Sequence, residues 1–140
     1  MSFVVDASVA FKWFVPELGT EQALTLLDLR GQLIAPDLLT VEVINAMWAR
    51  LRGRPDFQRT VTDAASALPR MLDTLAPSGE LVGRALEMTM LLNHPLYDCI
   101  YLALAERDGL RLVTADDYFT GKVERSELAR LIISLGTIAA

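Results

Sequence analysis

One cysteine and one histidine stand in a chain of 140 residues. Cys99 has no partner for an internal disulfide, which fits a reducing compartment. The same scarcity leaves neither a zinc cluster nor a cysteine–histidine nucleophile pair to build. Cations are thin as well. Lys and Arg together number 13 against 18 Asp and Glu, and the resulting charge of −5 does not suit whole-surface nucleic-acid binding. No Gly-rich phosphate loop is present, which argues against a nucleoside triphosphatase. No apolar run approaches the roughly 20 residues of a membrane span. The N-terminus reaches Asp6 without the basic start and long apolar stretch of a secretion signal. The expectation is a soluble, cytoplasmic protein with one domain over residues 1–140 and no membrane partner. Its 52% hydrophobic content is enough for one core.

Against that background, four carboxylates adjoin apolar stretches that read as core. Asp6 ends Phe3-Val4-Val5, Glu42 interrupts an apolar helical pattern, Asp98 opens Cys99–Ala105, and Asp116 follows Leu112-Val113-Thr114-Ala115. Carboxylates are rarely buried without a partner, because stripping an isolated anion of water costs several kcal/mol or more. Four at core margins point to shared compensation, and a bound hard metal ion supplies it where cations are few.

The patterning predicts alternating strands and helices. Short buried strands are expected at Phe3–Val5, Leu33–Ala35, Leu112–Thr114 and Leu131–Leu135. Helices are expected from Val9 to Val15 behind a Ser8 cap, from a Thr20 cap to Arg30, and around Leu39–Arg50. Further helices are expected from Phe57 to Leu75 (divided at Pro69), from a Ser78 cap to Leu92, and from Pro95 to near Arg107. This alternation implies a three-layer α/β/α fold with a mainly parallel central sheet. Ligands of such sheets bind outside the carboxyl ends of the strands, where Asp6 and Asp116 fall. Asp98 sits in a helical first turn, where the dipole favours an anion.

Oxygen donors without thiols or paired imidazoles suit Mg²⁺, which keeps several waters and is held by one or two carboxylates plus phosphate oxygens. Beside a phosphodiester such an ion activates water and stabilises the leaving oxygen. Four segments in order then carry a resemblance: Val4-Val5-Asp6-Ala7-Ser8, Pro36-Asp37-Leu38 leading into Glu42–Ala46, Tyr97-Asp98–Ala105, and Leu112–Asp116. Together they resemble the PIN-domain family, and most of all its VapC-type toxins. The resemblance implies a Mg²⁺- or Mn²⁺-dependent endoribonuclease acting on RNA, commonly a homodimer and held inactive by a cognate antitoxin. By the same match Asp6, Glu42, Asp98 and Asp116 are the acidic site residues, with Asp6, Asp98 and Asp116 holding metal. Ser8, Asn45 and Thr114 match polar positions around that site. Asp117 adjoins Asp116, and the Thr-x-Asp pattern favours Asp116 as the ligand.

Arg50, Arg52, Arg54 and Arg59 cluster with only Asp56 opposing them, and Lys12 follows the first acidic segment. Lys12, Arg50, Arg52 and Arg54 are candidates for phosphate contact, against the alternative of an ordinary solvated helix end. Two further classes compete with the nuclease. One is a module that keeps the fold without catalysis. The other is a phospho-receiver, which expects a lysine after a late strand that this chain does not have there.

Overall fold

The chain alternates between two kinds of segment, and each is legible in residue type. A computed structural model describes residues 1–29 and 31–139. Five short strands, β1 (Phe3–Val5), β2 (Leu33–Pro36), β3 (Thr74–Ala76), β4 (Arg111–Thr114) and β5 (Ile132–Ser134), form one sheet. Their order is β3-β2-β1-β4-β5, and every neighbouring pair is parallel. All of β1 and β2 is buried, which accounts for the unbroken apolar runs. Among the described residues seven α-helices connect the strands: α1 (Ala7–Ala10), α2 (Thr20–Asp28), α3 (Leu38–Leu51), α4 (Phe57–Met71), α5 (Val82–Leu92), α6 (Leu96–Asp108) and α7 (Asp117–Glu124). The α/β/α expectation holds, and the sheet is wholly parallel among the described residues. No helix among them is long and apolar enough to cross a membrane.

Helix α6 is the keystone. Cys99 through Ala105 are all buried, and the helix packs against β1, β2 and β4. A helix apolar on every side is a core helix, not a surface one. The chain runs from β1 outward to β2 and β3, then returns to place β4 on the other flank of β1. That reversal makes the crevice between the carboxyl ends of β1 and β4 the topological switch point.

Several local expectations are corrected. Ser8 does not cap α1; Asp6 does, and the helix passes at once into a tighter turn over Phe11–Trp13. Gly19 takes the cap position of α2, while the Thr20 hydroxyl accepts from the Glu17 backbone N–H. The expected end of that helix at Arg30 lies outside the described residues. Pro69 does not divide α4. It sits in the last turn, where the carbonyl left without a donor belongs to exposed Ala65. The helix stops at Met71, and Thr74–Ala76 pairs with β2 as an edge strand instead of extending it. Ser78 opens a single 3₁₀ turn before α5; its hydroxyl donates to Asp37 and accepts from the Leu38 N–H, capping α3 from a distance.

Candidate active site

Asp6 is where β1 stops. Its backbone is extended, and its Oδ1 accepts from the Val9 N–H at 3.3 Å, so the residue ends a strand and starts a helix together. It is only 6% exposed. The Ser8 hydroxyl donates to Oδ1 at 2.6 Å and the Thr114 hydroxyl donates to Oδ2. Those hydroxyls in turn accept from the Ala115 and Asp116 N–H groups at 2.9 and 3.1 Å. The carboxylate, two hydroxyls and two amides thus bind the end of β1 to the end of β4. Burial pushes the Asp6 carboxyl up to about 6; the two hydroxyls oppose that rise and nearby Asp98 adds to it.

Glu42 and Asp98 approach from the helices. Glu42, on α3, is half-buried and accepts through Oε1 from the Tyr101 hydroxyl of α6. Burial raises its pKa, with Asp98 adding to the effect and the Tyr101 bond opposing it. The Tyr101 phenol is raised in turn, by its own burial first and then by Glu42, Asp6 and Asp98. Asp98 lies in the first turn of α6 and pairs through Oδ2 with His94 Nε2 at 2.6 Å. His94 is buried, its ring 4.4 Å from that of Phe119, and its Nδ1 has no partner among the described residues. Asp6, Glu42 and Asp98 therefore lie within electrostatic reach of one another.

Asp116 caps α7, its Oδ1 accepting from the Phe119 N–H at 3.0 Å. Asp117 is exposed and points to a neighbouring cavity. An open cleft of about 690 Å³ is lined by Ser8, Lys12, Glu17, Glu42, Arg50 and Asp116, with Asp6 behind Ser8. Of the four basic residues considered for phosphate contact, Lys12 and Arg50 line this cleft. Arg52 lies over the Trp48 ring at 4.8 Å, and Arg54 borders a separate hollow with Phe14 and Phe57. Asn45 is exposed and makes no side-chain hydrogen bond among the described residues, so Tyr101, not Asn45, orients Glu42.

Tyr101 and His94 are partners that sequence reasoning did not single out. The available signal was spacing: His94 is four residues before Asp98 and Tyr101 three after, so all three share one side of α6 and its approach.

The donors around the cleft are carboxylate and hydroxyl oxygens, and no Lys or Arg pairs with Asp6, Glu42, Asp98 or Asp116 among the described residues. That chemistry fits a hard divalent ion. No three Asp, Glu, His or Cys side chains among the described residues close on a single point, however; each carboxylate is held by a neighbour of its own. The fit is thus to an ion that takes one or two carboxylates and completes its shell with water and phosphate oxygens.

The arrangement, with Asp6 and Asp116 just past β1 and β4 at the switch point of a parallel sheet and Glu42 and Asp98 approaching from α3 and α6, is one that comparison with known proteins identifies. The family model for the PIN domain matches residues 3–123, and the chain belongs to the PIN-domain family. Within that family it is a VapC-type member. Ribonuclease VapC3 of Pyrobaculum aerophilum is 30% identical over 118 residues, spanning 83% of this chain and 90% of that protein. The crystal structure of PAE2754 from Pyrobaculum aerophilum shares the fold, with a TM-score of 0.61 at 23% identity over 98% of this chain and 91% of that one.

Proposed function

We propose that this chain is a Mg²⁺- or Mn²⁺-dependent endoribonuclease, the toxin of a VapBC-type pair. One observation carries the reading: a carboxylate with an elevated pKa buried at the switch point, beneath a cleft lined by Glu42, Asp116 and two cations. The similarity to a protein named a ribonuclease supports the same reading. Asp6, Asp98 and Asp116 would hold the ion. When bound, it lowers the pKa of a water and offsets charge on the scissile phosphate. Ser8 and Thr114 fix the Asp6 carboxylate, and His94 fixes Asp98. Glu42, anchored through Oε1, is left with Oε2 to take a proton from the attacking water, and its raised pKa suits that task.

Cleavage of a mixed cellular RNA pool with Mg²⁺ or Mn²⁺ tests the proposal, with EDTA and Asp98→Asn as controls. Discrete cuts that vanish in both controls are expected; cuts that persist in either refute it. A folded chain that neither cuts RNA nor gains thermal stability from millimolar metal would instead be the non-catalytic module.

Two protein partners belong to this proposal, both acting in the cytoplasm. An antitoxin segment would place a basic side chain among the cleft acids. A second copy would cover the apolar row Val82, Leu86 and Met90, one turn apart on α5 and 39%, 46% and 74% exposed. Sedimentation of the wild type against Met90→Asp tests the second: a dimer converted to monomer is expected, and an unchanged dimer would refute that surface.

A further inference from the structure

Glu17, which no motif singles out, joins the two cations of the cleft. Lys12 Nζ lies 2.7 Å from its Oε2 and Arg50 Nη1 lies 3.2 Å from its Oε1. One carboxylate therefore bridges cations from two separate elements with both of its oxygens. Lys12 is seated firmly, its side chain only 11% exposed. Its stem runs over Gly19, where a Cβ would come within 3.2 Å of Lys12 Cε. Gly19 also holds φ at +93°, so glycine serves both the turn and the close approach. Arg50 is set by α3 and lies 5.8 Å from the Phe11 ring. The loop bearing Glu17 is fixed by its backbone, through the bond to the Thr20 hydroxyl at 2.9 Å. The carboxylate is thus not needed to shape the loop.

A second cavity of about 540 Å³ shares Lys12, Glu17 and Ala115 with the cleft and continues past Leu18, Gln22 and Ser134. The Lys12–Glu17 pair stands where these two lobes meet. Partly exposed ion pairs are individually weak and exchange readily for a better partner. Two cations converging on one pair of anionic oxygens offer the geometry a phosphodiester also satisfies.

We propose that Glu17 is a charge gate: its carboxylate occupies the place of a substrate phosphate between Lys12 and Arg50, and an RNA strand spanning both lobes displaces it. This rests on the ribonuclease reading and adds to it the place where the strand is gripped. The gate restrains loose binding of any polyanion, because a strand must break two ion pairs before it forms two.

Binding of a fluorescent, random-sequence 12-nucleotide RNA to the full chain tests the gate, in an Asp98→Asn background with Mg²⁺. Glu17→Gln is expected to bind about fivefold tighter, because its two ion pairs no longer have to be broken. Its log–log salt slope should steepen by about 0.7 for each additional phosphate neutralised. Lys12→Met and Arg50→Gln should each weaken binding, and in the Lys12→Met/Arg50→Gln double background Glu17→Gln should have no effect. Equal or weaker binding by Glu17→Gln overturns the gate, and so does tighter binding that survives in the double background. Thermal melting checks the fold; if Glu17→Gln is unfolded, the shorter Glu17→Asp must shift binding in the same direction. Cutting by the wild type is scored separately. A wild type that cuts RNA while Glu17→Gln binds like its parent overturns the gate alone. A wild type that neither cuts nor binds overturns both readings.

Discussion

Replacing Asp6 with asparagine should make the metal-free protein more stable while ending its activity. The folded protein keeps the Asp6 proton up to about pH 6, whereas an ordinary aspartate releases it near 3.8. Between those values the native state binds more protons than the unfolded chain. Stability therefore falls as pH climbs through that window, and the loss is complete above it. At about 1.4 kcal/mol per tenfold change in proton affinity, the gap amounts to about 3 kcal/mol. Asparagine keeps the helix cap and the hydrogen bonds: its amide oxygen accepts where Oδ1 does, and its NH₂ donates to the Thr114 hydroxyl. Urea melts of both proteins in EDTA from pH 4 to 8 read the difference directly, since all other titrating groups are common to the two. Near pH 4 the curves should nearly coincide. By pH 7.5 the variant should lead by about 3 kcal/mol, or about 10 °C in Tm for a chain of this length. Parallel pH profiles, or a variant no more stable than wild type at pH 7.5, would refute the claim that Asp6 is held against its own burial.

The other predictions concern the residues around it. Tyr101→Phe removes the hydroxyl that fixes Glu42 and should lower kcat by about 10- to 100-fold with a stability change of about 1 kcal/mol; unchanged kcat would show that Glu42 needs no anchor. His94→Leu should cost a similar factor, while His94→Gln, whose amide reaches the position of Nε2, should restore most of it in steady-state cleavage assays. Mg²⁺ at about 100 times its Kd should raise stability by about 2.7 kcal/mol. By calorimetry that increase should be larger at pH 8 than at pH 5, because the ligands must be deprotonated, and should shrink in Asp98→Asn.

Much of this site can be read from residue types alone. A β-branched run followed by an acid, in β1 and again in β4, places Asp6 and Asp116 at one edge of a parallel sheet, since both features are local. What escaped depends on tertiary contact. β3 is three residues long with only Ala76 buried, so its pattern is indistinguishable from a fraying helix end. Thr114 is expected near the site through the family resemblance, but its bond to Asp6 joins the ends of two strands far apart in sequence, and no local pattern shows it. The arginine cluster divides for a geometric reason: α3 ends at Leu51, so Arg50 still follows Ala46 and Ala49 along the cleft side of the helix, whereas Arg52 begins the turn and leaves it. Glu17 carries no motif; its role is visible only once two cations distant in sequence meet it.

The hydrogen bond from Thr114 to Asp6 spans 108 positions of chain. A ribosome adds roughly 5–20 residues per second and releases the N-terminal part first. Asp6 therefore emerges early and waits seconds for the strand that completes its surroundings. Until β4 docks beside β1, the nascent chain has neither the Thr114 hydroxyl nor Asp116, and the cleft has no floor. If the proposed nuclease activity needs that site, the chain would be inert for nearly all of its own synthesis. On the ribonuclease reading proposed above, activity would arise only once the chain is almost finished, and that interval is when the proposed antitoxin would have to meet it.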